Sequence, residues 1–279
     1  MGQALHRASL RHQRGRPASR TSAFRIPGAR RINVFGLPLD PCGSLDAAVA
    51  TVETELEAGR AFLTTFVNPS TVALTRRDPG FARALERHDL VLPDGVGIVR
   101  AVALLRGVSL ARVSFDSTSL ALPVLRLAER TGRSVALVGG APGVADRAGA
   151  QIHRHFPDLD LVAAVDGFGD RAEKVGRVQA LRPDIVICGM GGVAQEEFLL
   201  ALVEAGWQGC GFTCGGYLDQ LGVGLRYYPA WVDRMDLRWA YRLALEPRRL
   251  WRRYLIDYLL FGLIFLRAML AQHLGPRAA

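Results

Sequence analysis

Between residues 32 and 245 the chain alternates short, continuously apolar runs with longer stretches in which apolar residues recur every three or four positions. The short runs are Ile32–Phe35, Phe62–Val67, Leu90–Leu92, Val135–Val138, Leu161–Val165, Ile185–Cys188 and Gly209–Thr213. Runs of this length, bounded by Gly, Pro and Asn, predict strands buried on both faces. The longer stretches, Ser44–Ala58, Asp116–Thr131, Gly143–His155 and Gln195–Ala205 among them, read as helices. The alternation predicts an α/β fold, a largely parallel Rossmann-like sheet with helices on both faces. Without an internal repeat or a long linker, residues 32–233 read as one domain.

The pattern changes at the C-terminal end. Arg248, Arg249, Arg252 and Arg253 are interleaved with Trp251 and Tyr254 directly before the apolar run Leu255–Leu266. Arginines suit anionic head groups, and the aromatic and aliphatic side chains suit the acyl boundary, so residues 234–279 read as a helical appendage that binds an anionic membrane surface. A bilayer-crossing helix needs about 20 apolar residues. The run is shorter than that, with Asp257 inside it and Arg267 just past it, so the prediction is a helix lying on the membrane. Packing into a helix bundle is the alternative reading of the same run.

Charge supports this division. Of the formal net charge of +9, +8 falls on residues 1–31 and +5 on residues 247–279, so residues 32–246 carry −4. An enzyme acting on nucleic acid would concentrate positive charge on its folded body, so nucleic acid is not the expected partner. Residues 1–31 are rich in Arg, Ser and Gly and read as a disordered basic arm without a secretory apolar core. Cys42, Cys188, Cys210 and Cys214 lack metal-ligand spacing, and no His/Cys/carboxylate cluster argues for zinc, so neither a metal nor another cofactor is expected.

In open α/β sheets ligands bind beyond the carboxyl ends of the strands. The predicted strand exits here carry Asn68, Asp94, Gly139-Gly140, Gly189-Met190-Gly191-Gly192 and Gly215-Gly216. Gly139, Gly140, Gly189 and Gly191 would let backbone N–H groups approach a phosphate at a helix start. Each is equally an ordinary tight turn, and neither G-x-G-x-x-G nor a P-loop lysine is present. Asp94, between Pro93 and Gly95, is the candidate general base, a carboxyl group at a strand end in apolar surroundings. From spacing alone a turn aspartate fits as well, and Asn68 and Arg112 carry the same ambiguity. Asp158-Leu159-Asp160 precedes a strand, at the wrong end of the sheet for a site.

Taken in order, these pieces resemble the WecG/TagA/CpsF family of glycosyltransferases across about residues 60–254. The segments are Phe66-Val67-Asn68, Asp89 to Gly97, Arg112 to Asp116, Val138 to Gly143, Gly189-Met190-Gly191 with Gln195-Glu196, Gly215 to Asp219, and Pro229 through Tyr254. The resemblance implies inverting, metal-independent transfer from a UDP-sugar to a polyprenyl-diphosphate-linked saccharide at the cytoplasmic membrane face, in cell-surface or exopolysaccharide assembly. The sugar would be an N-acetylmannosamine type, its uronic acid or a hexose. It also implies Asp94 as base, with Asn68, Arg112 and Asp219 lining the site and Gln195 and Glu196 on the donor side with the glycine turns. Arg242, Arg249 and Arg252 would reach the lipid diphosphate, with Arg248 and Arg253 beside them. The chain departs from the family pattern at Val193-Ala194, Phe115, Arg226 to Pro229 and Arg238, where the family commonly carries Pro-Lys, Gly, a tighter Arg-Ala-Pro and Glu. Competing readings are a Rossmann-type oxidoreductase, whose dinucleotide fingerprint is missing, and a non-catalytic nucleotide-sugar-binding scaffold. Oligomeric state is left open.

Overall fold

The computed structural model describes residues 31–235 and 237–274. The chain opens with a hairpin of β1 (Ile32–Val34) and β2 (Leu37–Leu39), followed by α1 (Leu45–Ala58), β3 (Phe62–Val67), α2 (Pro69–Arg77), α3 (Pro79–Glu86) and β4 (Leu90–Pro93). It continues through α4 (Val96–Arg106), α5 (Ala121–Thr131), β5 (Val135–Gly139), α6 (Val144–His155), β6 (Leu161–Val165), α7 (Arg171–Leu181), β7 (Ile185–Gly189), α8 (Ala194–Glu204) and β8 (Cys210–Thr213). Then come α9 (Tyr217–Val223), α10 (Ala230–Arg234), α11 (Arg238–Leu245), α12 (Pro247–Trp251), a π-helical turn (Arg252–Asp257) and α13 (Tyr258–Leu274).

Six strands form a parallel sheet in the order β4-β3-β8-β7-β5-β6. Alternate residues of β5 serve opposite cores: Val135 and Leu137 face a layer with α1, α5, α6 and α9, whereas Ala136 and Val138 face α7 and α8. Burial on both faces is why these strands read as unbroken apolar runs. The predicted α/β class, with a parallel sheet between helices, therefore holds.

Two expectations need correction, and a third lies almost wholly outside the described residues. Ile32–Phe35 supplies a strand, but in a separate two-stranded sheet and not in the parallel one. Phe35 and Gly36 both have positive φ, 58° and 78°, and turn the chain into an antiparallel hairpin that pairs Val34 with Leu37. The helix expected from Asp116 begins only at Ala121. Asp116 turns its carboxylate onto the N–H of Thr118 at 2.8 Å instead, and residues 116–120 stay a loop. The basic arm lies outside the described residues apart from Arg31, which is anchored: its guanidinium donates to Asp40 and to the carbonyls of His88 and Asp89.

At the other end, the helix outruns the apolar stretch legible in the sequence. It extends from Pro247 to Gln272, 26 residues, and is long and apolar enough to cross a bilayer by length and composition. The length expectation was set by the run Leu255–Leu266, and the helix that carries this run is longer than it. One side of it is nevertheless docked: Phe261, Ile264, Phe265, Ala268 and Met269 pack on the core around the hairpin, α2 and α4, and Gln272 donates to the Leu105 carbonyl at 2.7 Å. On the other side Leu255, Leu259, Leu263, Leu266 and Leu270 form an exposed stripe.

Candidate active site

The carboxyl ends of the sheet strands and the appendage enclose a cavity of about 1090 Å³. That is roomy for a single small ligand and suits two substrates meeting. Its floor depends on glycine. A Cβ on Gly139, whose φ is 142°, would lie 2.3 Å from the Gly189 carbonyl oxygen, and one on Gly189 would lie 2.8 Å from that of Gly215. Three strand exits therefore approach one another backbone to backbone. Gly140, Gly189 and Gly191 line the cavity; Gly139 does not, and its contribution is the close approach itself.

Beneath these turns lies a buried polar network. Gln195 accepts from the Gly215 N–H at 3.0 Å and donates to Glu196 at 3.0 Å. Glu196 also accepts from Thr65 at 3.1 Å, which in turn bonds Thr213 at 3.0 Å. Burial raises the Glu196 carboxyl above the usual range, and its second oxygen has no partner. Gln195 and Glu196 border the cavity, but their visible bonds hold the Gly215 turn in place.

Asp94 stands at the end of β4, its backbone N–H bonded to the Val67 carbonyl at 2.8 Å. Its carboxyl group lines the cavity, and no described residue hydrogen-bonds it. Desolvation, then the negative charge of Asp116, raise its pKa to about 6 against the pull of Arg112, Arg253 and Arg238. Asp116 is the opposite case. It accepts from the Ser114 and Thr118 hydroxyls, the Thr118 N–H and Arg238, and is held below the usual carboxylate range despite its burial. One carboxyl is thus left free to exchange a proton near neutrality while its neighbour stays ionised.

The other expected residues divide. Asn68 and Arg112 line the cavity, yet the Asn68 carboxamide is also the N-cap of α2, accepting from the N–H groups of Ser70 and Thr71. Asp219 lines it and pairs with Arg249 at 3.4 Å. From the appendage Arg242, Arg249 and Arg253 enter the cavity, whereas Arg248 and Arg252 stay outside it. Arg252 lies over the Trp251 ring, 5.8 Å from its centroid. Arg242 is buried, its Nε is unpartnered, its acidic partner among the described residues is Glu246 at 3.9 Å, and its guanidinium lies 2.8 Å from where a Gly216 Cβ would be. A weakly paired buried guanidinium beside a glycine turn is suited to an anionic ligand. The sequence reading did not single out Asp116, Arg238 or Tyr228 as site residues, although all three line the cavity. Their only signals were membership of the Arg112–Asp116 segment and departure from the family pattern.

Among the described residues no group of three or more His, Cys, Asp and Glu is placed to hold a metal ion.

Comparison with known proteins gives the chain its relatives. The model of the glycosyl transferase WecG/TagA/CpsF family matches residues 32–275. A UDP-Gal:alpha-D-GlcNAc-diphosphoundecaprenol beta-1,4-galactosyltransferase of Shigella boydii is 27% identical over 197 residues, 70% of this chain and 81% of the relative. An N-acetylglucosaminyldiphosphoundecaprenol N-acetyl-beta-D-mannosaminyltransferase of Bacillus spizizenii is 28% identical over 196 residues, 70% and 75% of the two chains. A protein of that same description from Staphylococcus aureus is 21% identical over 226 residues, 80% and 87%.

Proposed function

Because the chain belongs to the WecG/TagA/CpsF family of glycosyltransferases, we propose that it moves a sugar from a UDP-sugar to a polyprenyl-diphosphate-linked saccharide, with inversion and with Asp94 as general base. The acceptor class is supported by the diphosphoundecaprenol substrates named for its relatives. The single observation that carries the base assignment is the contrast at β4: a cavity-facing Asp94 carboxyl without a hydrogen-bond partner and with a pKa near 6, beside a saturated Asp116.

In this reading the acceptor hydroxyl attacks the anomeric carbon and passes its proton to Asp94 as the carbon–oxygen bond to UDP breaks. A positioned base is worth about 10²–10⁴-fold in such a step. Direct displacement by a single nucleophile inverts the anomeric centre. The departing diphosphate gathers negative charge, which Arg242, Arg249 and the N–H groups of the glycine turns are suited to stabilise. Relatives named for galactose and for N-acetylmannosamine leave a hexose and an N-acetylated hexosamine as the donors to try first.

The appendage is proposed to bind the membrane that carries the acceptor, lying along its cytoplasmic face. The docked side of α13 supports lying over crossing, because crossing would strip Phe261, Phe265 and Met269 from the core. The exposed leucine stripe would enter the acyl boundary, and Arg248 and Arg252, outside the cavity, would meet head groups. Deleting residues 246–279 is expected to abolish sedimentation with anionic liposomes at low salt, and undiminished sedimentation would refute the membrane role.

The test of the reaction is incubation with a panel of UDP-sugars and short-chain polyprenyl-diphosphate saccharides, with products identified by mass. An acceptor lipid lengthened by one sugar residue, with release of UDP, is expected with wild type. Asp94→Asn should retain UDP-sugar binding while losing about 10²-fold or more in turnover. Near-normal turnover in that variant would end the assignment of the base.

A further inference from the structure

Arg238 makes more contacts to the Asp94 neighbourhood than any role assigned so far requires. It opens α11 in the appendage, yet its guanidinium reaches back 122 residues to Asp116 at 3.1 Å and donates to the Thr118 hydroxyl at 2.7 Å. A third donor holds Asp233 of α10 at 2.6 Å, and the guanidinium carbon sits 5.2 Å from the centre of the Tyr228 ring. The side chain is only 19% exposed, as is that of Asp116. Each of the three guanidinium nitrogens therefore holds a partner, tying α11 to α10 and to the Asp116–Thr118 loop.

That loop is fixed to the base. The Val113 N–H bonds the Pro93 carbonyl at 3.1 Å, so the segment Arg112–Asp116 runs alongside the end of β4 next to Asp94. The Ser119 hydroxyl accepts from the Ser114 N–H, and Asp116 accepts from both the Ser114 and Thr118 hydroxyls, so the loop is internally rigid. A negative charge held rigidly beside a desolvated carboxyl group makes ionising that group harder unless a cation neutralises it. Arg238 is the cation that is bonded to Asp116.

We infer that Arg238 is a positioning residue with two linked tasks: it latches the α10–α11 corner of the appendage onto the Asp116 loop, and it shields Asp94 from the charge of Asp116. The inference rests on the proposed role of Asp94, and its consequence is that the appendage helps to prepare the base electrostatically. With the corner docked, Asp94 faces a neutralised pair. With the corner displaced, Asp94 would face an Asp116 charge that Arg238 no longer offsets, and would hold its proton to higher pH.

The groups facing Asp94 are Asp116 and Arg112 from the loop, Arg238 from α11, Arg253 from the π-helical turn and Tyr258 from α13. Among these groups, Asp116 and Arg238 are bonded to each other. The test is the acid limb of kcat/KM, measured by sugar transfer for wild type, Arg238→Gln, Arg238→Lys, Asp116→Asn and the Gln/Asn double variant. Arg238→Gln should move the limb to higher pH and Asp116→Asn to lower pH, and the double variant should return it towards wild type. Arg238→Lys keeps the charge but not the three-way fork, so its limb should stay in place while kcat falls.

Opposite shifts that cancel are not produced by a merely structural contact. Limbs that stay put in both single variants, or that move in the same direction, would overturn the inference. If Arg238→Gln fails to fold, the isosteric Asp116→Asn carries the test alone. Absence of transfer by wild type would instead count against the proposed reaction, so the two failures are distinguishable.

Discussion

The two walls of the cavity are built on different physics. The sheet wall is backbone against backbone, with glycine turns at three strand exits and the buried side chains of Gln195, Glu196, Thr65 and Thr213 bonded beneath them. The appendage wall is arginine against acid, Arg238 on Asp116, Arg249 on Asp219 and Arg77 on Asp257, with Arg253 donating to the Ser70 hydroxyl. Interactions of the first kind cannot loosen without unfolding, whereas partly exposed ion pairs contribute little each and weaken in salt. The difference teaches that lesions in the sheet wall should show first in stability, and lesions in the appendage wall first in turnover.

The harshest test of the sheet wall is Gly139→Ala. The added methyl group would sit 2.3 Å from a carbonyl oxygen at a φ of 142°, and neither backbone can retreat within a parallel ladder. A loss of roughly 4 kcal/mol in denaturant unfolding is expected from clash and backbone strain together. The matching lesion in the appendage is Arg242→Met. It should cost about 10²-fold in transfer, the scale of losing one preorganised charge-stabilising donor. Its unfolding midpoint should barely move, because Glu246 keeps Arg249 at 2.7 Å. If Arg242→Met unfolded the protein while Gly139→Ala did not, the contrast between the walls would be wrong.

Acid should act on the stability of the body as well as on the site. His88 is buried, its Nδ1 donating to the Ala84 carbonyl at 2.9 Å and its Nε2 without a partner, and burial lowers its pKa from 6.5 to about 4. The unfolded chain therefore binds this proton at higher pH than the folded one does. Stability from this group is intact above pH 6.5 and is lost progressively as pH falls towards 4, by roughly 3 kcal/mol in all. Unfolding curves between pH 7 and pH 4 should show a decline that His88→Gln reduces.

The smallest expected effect is Val193→Gly. Val193 caps α8 with φ 75° and ψ −61°, a conformation costly for a β-branched residue. Relief of strain, offset by the greater freedom of glycine in the unfolded chain, should leave a net gain of about 1 kcal/mol or less.

The sheet was legible in the sequence because parallel strands buried on both faces are continuous apolar runs, and six of the seven predicted strands belong to it. Short helices such as α2 and α3 were not, since their boundaries are set by Asn68 and Asp78 side chains capping Pro-started turns and not by a long periodicity. Within the site, strand-exit logic found Asp94, Asn68 and the glycine turns. It passed over Arg238 because that arginine meets Asp116 only after the chain has folded back across the sheet. The reach of the last helix was misjudged because an apolar run ends where the composition changes, while helical hydrogen bonding continues past Arg267 to residue 274.

The most direct test of the account is the titration of Asp94 itself, followed by ¹³C NMR of aspartate-labelled protein and assigned with Asp94→Asn. A midpoint near pH 6 that coincides with the acid limb of kcat/KM for sugar transfer is expected. A midpoint at the ordinary aspartate value near 4, or a rate that does not follow that titration, would contradict it.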